Sequence, residues 1–538
     1  MDCSSTSLPY KETGYFSSIV TDYLDNSVNL QPFYQHPVSM QGIEAAIKIR
    51  QQFKGNREVL VKYLEAQYKW LGTSNAVKEN ILSLLKETTF TITTAHQPAL
   101  FTGTLYFVYK ILHAVKLADQ LNKQYPSYHF VPVYWMGSED ADLDELGKFS
   151  LGDEKIVWDT KQTGAVGKMN TKGLDKLINR IEGELSVQPF GRELVQLLKD
   201  SYLNSPDMQT ATFKLINSLF AQYGLLVLIP DTASLKRQMI PVFEDDLFRE
   251  SPSAIVSKTI DKLSKHHKVQ ANPREINLFY LDNAIRERIV KSGDTFTVHY
   301  RPAGQAVSTF TFNEKELRSE LQNHPERFSP NVILRGLYQE TVLPNIAFIG
   351  GGGETAYWLE LKDLFDHFKI PFPLLVLRNS FLIIEKKWKE KIAKMNISAT
   401  EFFKSEQLLL TELVTRNKNG QLKLSNEMDA AIKLYAQVKN KVLDIDKSLQ
   451  QHVEALLARA LKPLQELEKK LLRAEKRKYE AEERQIHVIK SALFPKDGLQ
   501  ERIENFMPYY AKWGMDFFTL LYNHSLTLEQ EFVVLEEK

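Results

Sequence analysis

Three short segments of the chain combine residue types that could do chemistry. They cover residues 93–103, 138–142 and 350–354, and each follows a short apolar run that is typical of a buried strand. In parallel α/β sheets, ligands bind outside the carboxyl ends of the strands. We therefore predict that these three segments together form one active site.

The first segment, 93–103, lies between a strand predicted at 90–94 and a helix predicted from about 105 to 122. Free backbone N–H groups from Thr102 and Gly103 to residue 105 would make an anion site, helped by the helix dipole. His96 and Gln97 could donate hydrogen bonds to a phosphate there. The segment matches neither the P-loop nor the dinucleotide-binding pattern. The alternative is a tight structural turn.

The second segment places three carboxylates, those of Glu139, Asp140 and Asp142, directly after a predicted strand at 131–136. Carboxylates this close repel one another and usually need a cation or a basic substrate group nearby. They could hold Mg²⁺, bind an amine or act as a base. The alternative is an acidic N-cap for the next helix.

The third segment is a run of four glycines: Gly350, Gly351, Gly352 and Gly353. Glycines let the backbone approach a ligand closely, and their conformational entropy makes such a run costly in a purely structural turn. Glu354 opens the next helix, where a carboxylate suits the helix dipole, and Tyr357 and Trp358 could form pocket walls. Polar residues upstream are predicted at the same edge: Gln339, Glu340 and Asn345. The alternative is a long turn with core aromatics.

The elements that must position these segments alternate between strands and helices. Apolar strands are predicted at 90–94, 131–136, 225–229, 346–349 and 374–377. This alternation favours a Rossmann-type, mostly parallel sheet covered on both faces by helices. It defines a core of residues 1–384, with a small α+β insert at about 250–330 where the strands look antiparallel.

Residues 385–502 form a predicted helical coiled-coil domain. A seam recurs every seven residues: Met428, Tyr435, Val442, Leu449 and Leu456. We predict a kink near Pro463 rather than a hairpin, because no Gly or Asn supplies a turn. The aromatic-rich segment 503–538 is expected to pack back on the core or on a partner subunit.

Composition excludes several classes of protein. The chain has 538 residues, with 68 Lys plus Arg and 67 Asp plus Glu, so no global field favours nucleic acid or a membrane surface. Cys3 is the single cysteine, which excludes an internal disulfide framework and a cysteine-based zinc site. We find neither a signal peptide nor an apolar window long enough to span a membrane, and expect a cytoplasmic protein.

Four ordered stretches, 94–106, 135–142, 334–344 and 350–358, resemble the bacillithiol-biosynthesis cysteine-adding enzymes, the BshC family. That family's pattern runs close to T-G-Q-Q-P-G-L-F-T-G-P-L-Y, W-x-x-x-E-D-H-D, L-R-P-L-Y-Q-D-T-x-L-P and G-G-P-G-E-x-A-Y-W. The resemblance extends over the whole chain. This sequence departs from the pattern at several positions: Ala95, His96, Ala99, Ala141, Gly336, Glu340 and Gly352.

The resemblance implies addition of cysteine to glucosaminyl-malate, which forms the amide of the thiol cofactor bacillithiol. It also implies a core similar to class I nucleotidyltransferases and a homodimer formed through the coiled coil. Because amide formation from a free carboxylate is uphill, we expect ATP as the activator and hypothesise a cysteinyl-adenylate intermediate. Mg²⁺ could accompany the ATP. No tightly bound cofactor and no protein metal site is expected.

The resemblance also suggests roles for the three segments. His96, Gln97 and the helix start would stabilise phosphate charge, and one of the carboxylates at 139–142 would bind the cysteine ammonium or the acceptor amine. The glycine run and Glu354 would take the nucleotide or the sugar. The remaining predicted binding residues lie elsewhere: Tyr106 and Lys110 in the helix after the first segment, and Arg378 and Ser380 after the last predicted strand, where they would replace the lysine loop of class I synthetases.

Two other function classes stay open at this point. One is a class I aminoacyl-tRNA-synthetase-like adenylating protein that binds RNA through its coiled coil. The balanced charge argues against RNA binding. The other is a non-catalytic coiled-coil scaffold, which has no need of the clustered glycines and carboxylates.

Overall fold

The computed structural model describes residues 2–152, 154–282, 284–300, 307–418 and 423–538. The chain divides into two compact units. The first comprises Met1–Lys11, Tyr15–Leu382 and Leu499–Leu535, and the second comprises Glu12–Gly14, Ile383–Gly498 and Glu536–Lys538.

A five-stranded parallel sheet forms the centre of the first unit. Its strands are, in spatial order, Leu374–Leu377, Asn345–Gly350, Thr89–His96, His129–Met136 and Leu226–Leu228. The predicted Rossmann-type parallel sheet is therefore confirmed. Since the three middle strands are neighbours and run the same way, the three polar segments that follow them all emerge at one edge.

Burial explains why the strands lack the alternating pattern of a half-exposed sheet. Phe90 and Ile92 are fully buried, as are Thr89, Thr91 and Thr93 from the same strand. Since successive residues of a strand point to opposite faces, both faces of the sheet are covered, as expected for parallel strands. On one side, the apolar residues of the helix Tyr106–Gln124 pack on these strands together with Ile43 and Ile47 of the helix Met40–Gln52.

Smaller antiparallel sheets accompany the central one. The strands Phe328–Pro330, Leu278–Asp282 and Ile285–Arg288 form one, and Ser308–Asn313, Thr295–Tyr300 and Val290–Ser292 form another. Lys148–Leu151 pairs with Glu154–Val157. A further three-stranded sheet has the order Cys3–Pro9, Glu531–Glu537, Ser380–Ile384.

Helices fill the rest of the first unit. Before the central sheet begins they are Ser18–Leu24, Met40–Gln52, Arg57–Tyr68 and Asn75–Ser83. Between the sheet strands lie Tyr106–Gln124, Leu143–Leu146, Leu174–Leu185, Gly191–Leu198, Met208–Phe220, Ala233–Lys236, Ile240–Phe248, Ser251–Leu263, Glu314–Asn323, Val332–Val342, Gly352–Leu359 and Lys362–Phe368.

The C-terminal stretch of the first unit packs on the core. Its helices are Met507–Trp513 and Asp516–His524, and Phe506, Phe517 and Phe518 are fully buried. The hydroxyl of Tyr522 donates a hydrogen bond of 2.7 Å to Asp119 in the helix Tyr106–Gln124. Packing on the core therefore removes these aromatic side chains from water.

The second unit is helical, and the prediction that it contains no helical hairpin is wrong. Its helices are Lys386–Lys394, Glu406–Asn417, Ser425–Leu443, Gln450–Lys476 and Glu480–Leu493. Ser425–Leu443 and Gln450–Lys476 fold back on each other as an antiparallel hairpin, with Lys439 paired to Glu454 at 2.6 Å. The turn lies between them, where the carboxylate of Asp446 accepts a hydrogen bond from the Ser448 N–H. Asp and Ser can build a turn without Gly or Asn, and the helix continues through Pro463.

Within the described residues, no helix is long and apolar enough to cross a membrane.

Candidate active site

A cavity of about 660 Å³ opens where the three polar segments leave the sheet. Each segment contributes to its wall: the first through Ala95, His96 and Gln97, the second through Asp140, and the third through Gly351 and the start of the helix Gly352–Leu359. The other lining residues come from elsewhere in the first unit: Tyr106, Lys110, Trp135, Gly137, Phe279, Arg286, Asn331, Val332, Arg335, Tyr357, Arg378 and Arg502. The size is typical of a small-molecule site.

His96 and Gln97 both face the cavity, and neither carries a positive charge. The imidazole of His96 lies against the rings of Tyr106 and Phe107, and burial lowers its pKa to about 3. His96 is therefore neutral at neutral pH and can offer a hydrogen bond but no charge to a phosphate. The amide of Gln97 donates a hydrogen bond of 3.0 Å to Asp140, which ties the first segment to the second.

The predicted anion site at residues 102–105 is wrong. The N–H groups of Thr102 and Gly103 donate to carbonyls of Ala99 and Leu100, at 3.0 and 2.9 Å. The N–H of Leu105 donates to the carbonyl of Glu504 at 2.8 Å. These amides are occupied, and neither Thr102 nor Gly103 lines the cavity. The turn serves instead to anchor the C-terminal stretch of the first unit.

Tyr106 and Lys110 lie one helical turn apart on the cavity wall. The buried ammonium of Lys110 forms an ion pair with Glu354 and donates a hydrogen bond of 2.9 Å to the carbonyl of Ala95. Burial lowers the pKa of Lys110, against the opposing effect of Glu354. The pair thus connects the first segment to the third.

The four glycines lie in different surroundings, so the reason for having no side chain differs between them. A Cβ on Gly350 would lie 2.9 Å from the ring of Phe348, so packing alone excludes a side chain there. Gly351, Gly352 and Gly353 line the cavity, and a Cβ on Gly353 would meet nothing within 4 Å. At Gly353 the protein itself leaves the space open, which fits close approach by a ligand.

Glu354 caps the helix that the glycines begin. Its carboxylate accepts a hydrogen bond of 2.8 Å from the N–H of Gly351. Tyr357, one turn further, also lines the cavity, and burial raises its pKa. Trp358 does not line it, because its ring stacks on Phe348 in the core. The prediction that Trp358 forms a pocket wall is therefore wrong.

The three carboxylates of the second segment separate into three environments. Only Asp140 lines the cavity. Burial would raise the pKa of Asp140, but Arg335, 3.5 Å away, and the Gln97 hydrogen bond bring it below its ordinary value. Asp140 is therefore an anion at neutral pH.

Glu139 and Asp142 do not reach the cavity, which corrects the prediction for both. Glu139 is buried and forms an ion pair with Lys236, whose ammonium also binds Asp231 at 2.9 Å. Asp231 in turn binds Lys168 at 2.6 Å, so two acids face two bases. Asp142 caps the helix Leu143–Leu146 by accepting a hydrogen bond from the Glu145 N–H.

Gln339, Glu340 and Asn345 lie in a buried polar network away from the cavity, contrary to the prediction. The carboxylate of Glu340 binds Arg50 at 2.6 Å and accepts hydrogen bonds from the side chains of Gln339 and Asn345. All of these polar groups are buried between the sheet and the helices over it. They hold the helix Val332–Val342 in place.

Arg378 lines the cavity, and Ser380, which does not line it, helps to hold the Arg378 side chain in place. The guanidinium of Arg378 binds Glu501 at 2.7 Å and donates a hydrogen bond of 3.0 Å to Ser380. The Ser380 hydroxyl itself donates to Glu501 at 3.1 Å. Next to Glu501, Arg502 reaches the cavity wall. The C-terminal stretch of the first unit thus completes the site.

Sequence reasoning missed Arg286, Arg335 and Arg502. Arg335 lies inside the stretch 334–344 that resembles the BshC family. Its charge within that stretch could have identified it as a candidate binding residue. Arg286 comes from the antiparallel insert and Arg502 from the C-terminal stretch, so the rule that ligands bind at strand ends could not find them. These three arginines add positive charge to a site that the sequence suggested was acidic.

The cavity wall carries an excess of positive charge. Among the described residues that line it, five are basic and two, Asp140 and Glu354, are acidic. The acidic segments in the sequence therefore do not make an acidic site. Such a wall favours an anionic ligand.

Family comparisons cover almost the entire chain. The model of the N-terminal Rossmann-like domain of the bacillithiol biosynthesis protein BshC matches residues 1–379. That of the BshC C-terminal coiled-coil domain matches residues 381–537. The chain belongs to the BshC family.

Two members of this family with curated names are similar to the chain over nearly their full length. A protein of Flavobacterium johnsoniae is 38% identical over 99% of both chains, and one of Flavobacterium psychrophilum is 39% identical over 95% of both. Both are named "Putative cysteine ligase BshC". A solved structure titled as an arginyl-tRNA synthetase of Campylobacter jejuni aligns over 86% of this chain and 100% of its own, at 10% identity and a TM-score of 0.24, which is too low to carry an argument.

Among the residues that the structure describes, no three His, Cys, Asp or Glu side chains are grouped as metal ligands.

Proposed function

We propose that this protein is an ATP-dependent ligase that joins L-cysteine to glucosaminyl-malate through an amide bond. Membership of the BshC family and the cysteine ligase names of its relatives support the reaction class. The observation that carries the proposal is the basic cavity in which His96, Asp140 and Gly351 meet from three adjacent strand ends.

The chemistry explains why a nucleotide is needed. In the first step a carboxylate oxygen of cysteine attacks the α-phosphorus of ATP and displaces pyrophosphate, which leaves cysteinyl-adenylate. In the second step the amine of glucosaminyl-malate attacks the activated carbonyl, AMP leaves, and the amine loses a proton. ATP, pyrophosphate, cysteinyl-adenylate and AMP carry phosphate charge, and glucosaminyl-malate carries two carboxylates, which suits a wall with five basic residues.

The start of the helix Gly352–Leu359 is the part of the wall best suited to the nucleotide phosphates. The first N–H groups of a helix have no partner inside the helix, and its dipole favours an anion. Gly353 leaves room for close approach, and Arg378 and Lys110 line the same cavity. Both basic side chains are held by carboxylate partners, Lys110 by Glu354 on the cavity wall and Arg378 by the buried Glu501, so they are positioned before the ligand arrives.

Asp140 is the group best suited to an amine. It is an anion held by Gln97 and Arg335, just beyond the carboxyl end of the strand His129–Met136. An ammonium beside it would gain a charge-assisted hydrogen bond. We propose that Asp140 binds the cysteine ammonium or the acceptor amine before deprotonation, a role that Glu139 and Asp142 cannot share from outside the cavity.

The helical hairpin supports a proposal about assembly. Several apolar side chains of its two helices are exposed in the single chain: Ile432, Leu434, Val438, Leu467 and Leu471. Contiguous exposed apolar residues on helices are typical of protein interfaces. We propose a homodimer formed through these helices, which light scattering would report as a mass of about twice the 62.0 kDa of the chain.

The function is tested with purified protein, ATP, isotope-labelled cysteine and glucosaminyl-malate. Mass spectrometry should find the cysteinyl amide, and formation of AMP and pyrophosphate should require cysteine. Release of ADP and phosphate instead would replace the adenylate by an acyl phosphate. If neither the amide nor any cysteine-dependent ATP turnover appears, the proposed function is wrong.

A further inference from the structure

Two guanidinium groups, those of Arg286 and Arg335, line one part of the cavity wall. Arg335 lies in the first turn of the helix Val332–Val342, and Arg286 lies on the strand Ile285–Arg288. The guanidinium carbon of Arg286 sits 4.0 Å from the centre of the Phe279 ring. A guanidinium this close to a ring centre is attracted to the ring by a cation–π interaction. The ring therefore helps to hold the Arg286 side chain at the cavity wall.

On this part of the cavity wall, Asp140 provides the one carboxylate for the two guanidinium groups. Arg335 pairs with Asp140 at 3.5 Å. Arg286 makes no ion pair with any described residue, and its Nε is buried without a hydrogen-bond partner. Buried polar groups are nearly always paired, so an unpaired guanidinium nitrogen beside a cavity points to a binding site for an anion.

The nearby carboxylate of Glu139 does not supply the missing charge. It is already balanced, because Glu139 and Asp231 face Lys236 and Lys168 in the buried network. The guanidinium groups of Arg286 and Arg335 and the carboxylate of Asp140 thus leave one net positive charge on this part of the wall. A ligand with two carboxylates, one for each arginine, would satisfy both guanidinium groups even with Asp140 engaged by an amine.

We propose that Arg286 and Arg335 bind the two carboxylates of the malyl group and so select the acceptor. This inference rests on the proposed function, since it assigns one part of the same cavity to one end of the acceptor. Arginine suits this task because its planar fork binds a carboxylate through two parallel hydrogen bonds. Asp140, in contact with Arg335, then lies close to the sugar amine that must react.

The assignment predicts strong selection against an uncharged aglycone. A site built to pair with charged groups loses affinity for an analogue that lacks them, because its own buried polar groups stay unpaired. The methyl glycoside of glucosamine has the reacting amine but no carboxylate. Its use as an acceptor should be poor in the wild-type protein and should not depend on Arg286.

The test compares the full-length wild type with Arg286→Gln and with the matched control Arg288→Gln, an exposed arginine on the same strand. Calorimetry measures the binding of glucosaminyl-malate, and steady-state kinetics measures KM for each substrate. Arg286→Gln should weaken binding and raise KM for glucosaminyl-malate roughly 10- to 100-fold, as for the loss of one charge-assisted interaction. KM for ATP and cysteine, and the weak use of the methyl glycoside, should stay unchanged, and Arg288→Gln should match the wild type.

Two outcomes would overturn the assignment. One is an unchanged affinity of Arg286→Gln for glucosaminyl-malate. The other is a rise in KM for ATP instead, which would assign Arg286 to the nucleotide. Because binding is measured without turnover, a wild type that binds glucosaminyl-malate through Arg286 but makes no amide would contradict the proposed function and leave the assignment of the malyl site standing.

Discussion

Arg378 and Glu501 form a buried ion pair of 2.7 Å between two parts of the chain that are 123 positions apart. Arg378 follows the last strand of the central sheet, and Glu501 stands just before Arg502 on the cavity wall. One hydrogen-bonded contact therefore fixes a cavity arginine and attaches the C-terminal stretch to the sheet edge. The site depends on both ends of this contact.

Replacing Glu501 by Gln should destabilise the protein and impair catalysis together. The change leaves the buried charge of Arg378 uncompensated, which costs about 3–5 kcal/mol for a buried pair. Chemical denaturation measures the loss. The control is Glu314→Gln, which removes an exposed i,i+4 pair with Arg318 and should cost no more than about 1 kcal/mol. Equal stability of the two variants would contradict the structural role given to the Arg378–Glu501 pair.

Lys236 and Glu139 should behave as structural residues. Lys236→Met leaves the carboxylates of Glu139 and Asp231 facing each other without their shared cation, and we expect a loss of about 3–5 kcal/mol in the free energy of unfolding. Glu139→Gln keeps a hydrogen-bond acceptor for Lys236 and should retain amide formation within a few-fold of the wild type. A stable Glu139→Gln protein without activity would show that Glu139 acts on substrate after all.

Gly353→Ala should separate stability from substrate binding. The added methyl group meets no protein atom within 4 Å, and alanine favours a helix over glycine by about 1 kcal/mol, so the melting temperature should hold or rise. The methyl group nevertheless projects where the nucleotide is proposed to lie, and KM for ATP should increase. Gly183→Ala, in the helix Leu174–Leu185, also meets nothing within 4 Å and serves as the control with unchanged KM. An unchanged KM in Gly353→Ala would place the nucleotide elsewhere.

His113 should make the stability of the protein depend on pH. Its Nδ1 accepts a hydrogen bond from the Asn379 N–H and its Nε2 donates to the carbonyl of Thr527, so the buried ring is neutral, and burial lowers its pKa to about 4. Between pH 6.5 and 4 the unfolded chain binds a proton at this residue and the folded chain does not. The unfolding free energy should therefore fall as the pH falls through this range, by up to about 3 kcal/mol.

The contribution of His113 is isolated with the variant His113→Gln. The difference in unfolding free energy between wild type and variant should shrink as the pH is lowered from 6.5 to 4, because only the wild type loses stability at this position. Denaturant titrations at a series of pH values provide the measurement. A difference that does not vary with pH would mean that the ring takes up a proton in the folded protein as readily as in the unfolded chain.

The sequence predicted the sheet well because strand signals are local. The apolar runs that end at His96, Met136 and Gly350 are long enough to identify, and the rule for parallel sheets brings their ends together. The same rule could not tell which side chain of a segment enters the cavity. Glu139 and Asp140 are neighbours in the chain, yet one joins the Lys236 network and the other lines the cavity.

Contacts between distant parts of the chain account for the other errors. The amides near Thr102 look free in the sequence, and only the position of Glu504 shows that the amide of Leu105 is occupied. In the second unit, the heptad seam runs without interruption from Val442 to Leu449, which hides the turn at Asp446. Ile445, an apolar residue between these two, is 85% exposed because it lies where the chain turns.

The most direct test of the account compares amide formation by Asp140→Asn and Asp142→Asn. Both changes remove one carboxylate from the same segment, but only Asp140 lines the cavity, and Asn serves as well as Asp at the helix cap formed by residue 142. We predict that Asp140→Asn folds and loses amide formation by roughly 100-fold or more, which corresponds to about 3 kcal/mol of transition-state stabilisation, while Asp142→Asn retains it. Full activity of Asp140→Asn, or an equal loss in both variants, would contradict the claim that this cavity is the active site.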